Sequence, residues 1–262
     1  MKKIFVSISL IFSFYFSNAQ RSDSSSVKTT IHPIKLHISE GVKETKHSIT
    51  SLILPSAAIT YGFISLENDG LQKLNENTKI EITEDHPHPV TKLDNYLQYS
   101  PAVAVYTLNA LGIKGKNNFR DRTIIYALST VISTAIVTPL KSITKEQRPD
   151  GSDFRSFPSG HTTTAFANAE FMRQEYKDVS QWYAVAGYAA ATATGILRLY
   201  NNKHWVGDVV AGAGVGILST NLAYWIYPAI KKRFFKDKPI HAMAIPFYQN
   251  KTAGISMVYH FN

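Results

Sequence analysis

The chain has 262 residues, 44% of them hydrophobic, a formal charge of +9 and no cysteine. That length and apolar content suffice for one domain with a buried core and short appendages, while the missing thiols exclude a disulfide scaffold and a thiolate metal site. The basic residues are scattered and accompany no nucleic-acid-binding signature, so no nucleic-acid partner is expected and the charge is assigned to an anionic substrate or a membrane surface.

Residues 1–19 read as an export signal: Lys2 and Lys3, the apolar run IFVSISLIFSFYF, then small residues at Ser17 and Ala19 ahead of cleavage before Gln20. About 13 apolar residues are too few to cross a ~30 Å hydrocarbon core as a helix. Residues 20–48, with RSDSSSVKTT at their head, form a polar leader. From 49 to 230 the chain alternates apolar runs of helical period with polar connections, which predicts an all-α domain built as a six-helix up-and-down bundle. The candidate helices lie near 49–66, 94–112, 121–141, 161–176, 180–197 and 205–228, with breaks at GIKGKNN (112–118) and YNNKH (200–204). The HPHP at 86–89 invites a metal-site reading, but its two prolines favour a rigid loop. Residues 231–262 combine a basic segment with two short aromatic and β-branched runs, HAMAIPFYQ and AGISMVYHF, which predict a C-terminal β-hairpin with Pro246 pushing the first strand toward an edge.

Three clusters on this skeleton carry chemistry. Lys141 closes the third candidate helix, and Arg148 follows seven residues later ahead of Pro149. That spacing is close to two helical turns and would put both cations on one face. Next comes Pro158-Ser159-Gly160-His161. Ser159 is a good N-cap, Gly160 permits close backbone approach, and the free N–H groups of a helix start attract phosphate. The third cluster, LRLYNNKHWVGD, spaces Arg198, His204 and Asp208 by six and four residues. A shared helix face would let the Asp208 carboxylate hold one imidazole nitrogen of His204 and leave the other for a substrate. Two histidines in different environments allow one to attack while the other protonates a leaving group. In an up-and-down bundle all three clusters fall at one end.

In order and spacing, K-x6-R-P, P-S-G-H and R-x5-H-x3-D resemble the motifs of the type 2 phosphatidic acid phosphatase (PAP2) superfamily, which includes lipid phosphatases, bacterial non-specific acid phosphatases and vanadium haloperoxidases. The similarity spans about residues 94–230. It implies phosphate binding by Lys141, Arg148 and Arg198, with Ser159 and Gly160 also contacting the phosphate. It further implies that His161 is the general acid, that His204 is the nucleophile forming a phosphohistidine, and that Asp208 orients it, with no metal and no cofactor required. Leu197 departs from the pattern, which usually has serine before the arginine, and the Pro149–Pro158 stretch leaves little room for a substrate-recognition insertion.

The expected activity is therefore metal-independent hydrolysis of phosphomonoester or pyrophosphate groups, on a lipid phosphate or a small soluble phosphomonoester. A broad-specificity periplasmic acid phosphatase, a vanadate-dependent peroxidase and a non-catalytic phosphate- or lipid-binding module are the alternatives. Residues 123–140 and 209–228 lack charges and could span a bilayer, with the basic KGKNNFRDR and KKRFFKDK at the ends opposite the motifs. Positive-inside logic places the motifs outside. An exported N-terminus followed by six spans would instead turn the motifs inward, so either an early segment such as 49–66, with Pro55 inside it, does not cross, or the bundle is a periplasmic globule. Glu170 and Arg173 in the fourth candidate helix and a mean hydropathy of −0.11 count against a bundle in which every helix spans. The expectation is an exported bacterial envelope protein with its site facing the periplasm, embedded or peripheral.

Overall fold

The computed structural model describes residues 50–235, 242–249 and 252–259. The expected signal peptide and polar leader lie outside the described residues. Among these residues the order is α1 (Thr50–Ser65), α2 (Asp69–Lys79) running into a π-helical turn at Ile80–Glu84, α3 (Leu93–Leu97), α4 (Ser100–Ala110), α5 (Phe119–Thr144), α6 (Gly160–Tyr176), α7 (Gln181–Tyr200), α8 (Val206–Phe234), β1 (Ala242–Gln249) and β2 (Thr252–Tyr259).

The helical domain is all-α, and each apolar run of helical period forms a helix. α5, α6 and α7 start where polar side chains cap them: Asn118 accepts from the Asp121 N–H, Ser159 from Thr162, and Ser180 from Trp182. Two features exceed the six expected helices. The 94–112 segment is divided into α3 and α4, with Pro101 in the first turn of α4, where its missing N–H costs nothing. The polar α2 begins at Asn68, whose side chain accepts from the Gly70 and Leu71 N–H groups. The strands pair antiparallel, from Ala242 with Tyr259 to Gln249 with Thr252, and Pro246 stands opposite Ile255.

α6 packs against α7 and α8, and α8 also carries α1 and α5. The α6–α8 contact is close because α8 is glycine-rich there. A Cβ at Gly212 would stand 2.7 Å from the Ser159 carbonyl oxygen, and one at Gly216 would stand 2.3 Å from that of Thr163. Small residues four apart let two helix backbones touch. This contact fixes the first turn of α6 beside the start of α8, which is where two of the three motifs lie. Away from the motifs, Val105, Ile125, Phe171, Tyr176, Ala223 and Tyr224 form the main apolar cluster.

α5 and α8 are long and apolar enough to cross a bilayer. Only 11% of the apolar window of α5 is buried, against 56% for α8, so α5 turns apolar surface outward.

Candidate active site

The end of α5, the start of α6, the end of α7 and the start of α8 meet at one end of the bundle, with the Lys145–Ser159 loop between them. Lys141 lies in the last turn of α5 and donates to the carbonyls of Arg155 (2.6 Å) and Ser156 (3.1 Å). Arg148 does not share its helix face. α5 ends at Thr144, Lys145 turns the chain through a left-handed conformation (φ 48°), and Arg148 belongs to the loop. Its guanidinium bonds Asp153 (2.8 Å) and the Lys203 carbonyl (3.3 Å), tying this loop to the one before α8. The indole N–H of Trp205 makes a second tie, to the Gln147 carbonyl (2.8 Å).

Ser159 is the N-cap of α6 as expected, but its own N–H donates to the Asp208 carbonyl (3.0 Å). Its hydroxyl accepts from Thr162 Oγ1 (2.9 Å), and its carbonyl accepts the Thr163 N–H. The N–H groups of Gly160 and His161 are then the first-turn donors suited to an anion. Gly160 is close to the lysine, since a Cβ built on it would meet Lys141 Cε at 4.0 Å.

His204 and Asp208 are not one turn apart on a helix face. His204 precedes the N-cap residue Trp205, and Asp208 is the third residue of α8. Asp208 Oδ2 accepts the Trp205 N–H (2.9 Å) and the Ser156 hydroxyl (2.5 Å), and lies 3.4 Å from His204 Nδ1. The carboxylate thus caps its own helix while it faces the imidazole. Ser156 Oγ is also 3.4 Å from His204 Nδ1. His204 is buried, and burial, followed by Arg198, Lys141 and Arg148, holds its pKa well below the ordinary value, so the ring rests neutral.

Arg198, in the last turn of α7, donates through Nη1 to the buried carboxylate of Asp94 (2.5 Å), while its buried Nε has no partner among the described residues. An unmet guanidinium donor beside two other cations is suited to an anionic oxygen. His161 Nε2 lies 2.8 Å from Asn95 Oδ1. Its pKa is brought down to about 4, first by burial and then by Arg198, Arg148 and Lys141, against the pull of Asp94. All eight residues singled out from the sequence converge. Ser156, Asp94 and Asn95 were not legible there. Ser156 has no distinguishing pattern, and α3 stands 66 residues before His161 and 104 before Arg198.

This bundle, with its paired histidines and clustered cations, has the architecture of a PAP2-type protein. Residues 122–232 match the PAP2 superfamily. It is 43% identical over 137 residues to a lipid A 1-phosphatase of Porphyromonas gingivalis, a match covering 52% of this chain and 31% of that protein. The chain thus spans about a third of the length of this curated relative. The crystal structure of a transmembrane PAP2-type phosphatidylglycerolphosphate phosphatase from Bacillus subtilis shares the fold, with a TM-score of 0.51 and 22% identity over 69% of this chain and 98% of that one. Aquifex aeolicus LpxE superposes with a TM-score of 0.45 and 24% identity, over 58% of this chain and 95% of that one.

Proposed function

We propose that this chain is a metal-independent phosphatase that removes phosphomonoester or pyrophosphate groups from lipids of the bacterial envelope through a phosphohistidine. The observation that carries this reading is the placement of two neutral histidines around one set of cations, His204 backed by Asp208 and His161 held by Asn95, with Arg198 Nε unmet beside them. Lys141, Arg148, Arg198 and the first turn of α6 bind the phosphoryl oxygens, with Ser159 and Gly160 shaping that turn. Three cations and a helix N-terminus supply the charge stabilisation that a divalent ion would otherwise provide.

Asp208 faces His204 Nδ1, which leaves Nε2 to attack phosphorus. The P–O ester bond breaks, and its electron pair leaves with the substrate oxygen, which takes a proton from His161. A water molecule then attacks the phosphohistidine and gives its proton to His161, returning His204 to the neutral ring and releasing inorganic phosphate. His161 must be protonated to act first as acid. The incoming phosphate offsets the cations that depress its pKa and so favours the imidazolium when it is needed.

The name of the P. gingivalis relative points to a lipid A phosphate among candidate lipids, and the outward apolar surface of α5 suits a lipid substrate reached from the bilayer. The basic last turn of α8, with Lys231, Lys232 and Arg233, lies at the opposite end and favours a cytoplasmic position for that end and a periplasmic one for the site. The test is phosphate release by purified protein from lipid A 1-phosphate, phosphatidylglycerol phosphate, undecaprenyl pyrophosphate and p-nitrophenyl phosphate, with and without EDTA and vanadate. We expect lipid turnover that persists in chelator and is inhibited competitively by vanadate. Loss in EDTA with recovery on adding a divalent ion would refute the metal-independent mechanism, and equal turnover of every substrate would make it a broad acid phosphatase.

A further inference from the structure

The segment from His86 to Gln98 is fastened across the site at successive points. His88 Nε2 bonds the Tyr200 carbonyl (2.7 Å), and its ring stacks on that of Tyr200 with centroids 3.4 Å apart. Thr91 and Asn201 bond reciprocally, Thr91 N–H to Asn201 Oδ1 and Asn201 Nδ2 to the Thr91 carbonyl, both at 2.9 Å. Three residues further on, Asp94 takes Arg198 Nη1, and Asn95 presents its side chain to His161. Asn95 is exposed, yet anchors on either side hold it, the Asp94 pair before it and the Gln98 amide bonded to its carbonyl (3.0 Å) after it.

We propose that Asn95 is the positioning residue of His161, its amide oxygen accepting the Nε2–H and so fixing the tautomer and ring plane that present Nδ1 to the leaving oxygen. This rests on the phosphatase reading. A neutral imidazole has one donor and one acceptor nitrogen, and an amide oxygen beside Nε2 selects the ring that carries its proton there. Nδ1 then holds the lone pair at rest and the transferable proton when the ring is charged.

The chemistry explains why this partner is an amide where His204 has a carboxylate. A nucleophile that becomes a cationic phosphohistidine gains from a negative neighbour. An acid that must surrender its proton gains from a neighbour that orients it without adding charge. The charged groups facing His161 are Arg198 from α7, Lys141 from α5, Arg148 from the loop after α5 and Asp94 from α3, with the His204 ring also adjacent. Asn95 adds direction to this field without altering its charge.

The test uses the full-length protein in detergent micelles, labelled with 15N-histidine, with the His161 signal assigned by its loss in His161→Gln. The wild-type ring should be the Nε2–H tautomer. Asn95→Ala should give a mixture of tautomers, and Asn95→Asp should raise the pKa of the ring. A wild-type Nδ1–H tautomer, or an unchanged tautomer in Asn95→Ala, would overturn the proposal. This arm needs no turnover, so it separates the Asn95 contact from the phosphatase reading. In kinetics, Asn95→Ala should lower kcat on an alkyl phosphate by about 10- to 100-fold with KM little changed, the order of loss expected for a misplaced catalytic group. The loss should be smaller on p-nitrophenyl phosphate, whose phenolate needs little protonation, and absent in a His161→Ala background. Equal losses on both substrates, or a full further loss in the double variant, would reduce Asn95 to a structural role.

Discussion

At one end of the bundle Glu175 accepts hydrogen bonds from Arg122 Nε (3.1 Å), the Asn117 N–H (3.1 Å) and side-chain amide (2.5 Å), and the Tyr224 hydroxyl (2.6 Å). At the other, Lys141 donates to two carbonyl oxygens and, among the described residues, Arg198 Nε is unmet. Arg122 and Lys141 lie on the same helix, about 28 Å apart along its axis at the ordinary rise per residue. Each end contains one orphaned guanidinium nitrogen, Arg122 Nη1 and Arg198 Nε. The difference lies around it. Arg122 is fully buried against an equally buried carboxylate whose remaining capacity is filled, so the Arg122–Glu175 pair is a neutral staple. The motif end leaves a positive field that adds to burial in holding two histidines neutral. Charge buried for stability is matched within the chain, whereas charge kept for function waits for a partner from outside.

Removing the proposed nucleophile should break the motif end most completely. His204→Ala should abolish turnover, a loss of about 10,000-fold or more of the kind seen when a catalytic unit loses its attacking group, with the thermal transition unchanged. Asp208→Asn should retain weak activity, because the ring remains but is poorly oriented. Quenched labelling with 32P substrate followed by peptide mapping checks both, and label on the peptide carrying His161 would exchange the histidines' roles.

The far end should respond in the opposite way. Glu175→Ala leaves Arg122 buried without its counter-charge and should lower stability by about 3–5 kcal/mol, while turnover per folded molecule stays near wild type. Denaturant titration in detergent, paired with rate measurement on the folded fraction, would test this. A large loss of turnover without a stability change would erase the distinction between the two ends.

The smallest effect is a protonic one, and it sharpens the same comparison. Burial first, and then the surrounding cations, bring the His161 pKa to about 4, and a bound anion offsets the cations and raises that pKa. Between the two values the complex binds a proton that the free protein does not. Affinity for inorganic phosphate should therefore rise as pH falls through the raised pKa, and level off below the free one. Calorimetry in buffers of different ionisation enthalpy should show a fraction of a proton taken up. The difference from His161→Gln cancels the protonation of the ligand itself, and no difference would remove His161 from the anion site.

The fold was legible wherever an apolar period met a cap or a breaker. The 121–141 expectation became Phe119–Thr144 and the 161–176 expectation became Gly160–Tyr176, because Asn118 and Ser159 mark their starts. The break before α4 had a readable signal in Pro101, which belongs in a first turn rather than an interior. α2 carries too few apolar residues for its period to show. Spacing also misled: seven residues suggested a shared helix face for Lys141 and Arg148, and four suggested one for His204 and Asp208. Each interval contains a helix terminus, where the 3.6-residue period no longer applies.

By itself, then, the amino-acid sequence determined the apolar helical segments, the end of the bundle where the motifs gather, and the residue types proposed to bind and transfer a phosphoryl group, since caps, periods and motifs are local properties. Only the tertiary structure decided that Ser156 shares the Asp208 carboxylate, that Asp94 leaves Arg198 Nε unmet, and that Asn95 meets His161. The first arises where the loop before α6 meets the start of α8, and the other two where a strap 66 to 104 residues away in sequence closes over the helix ends. No local period encodes that closure, because it depends on which surfaces of separate helices pack together.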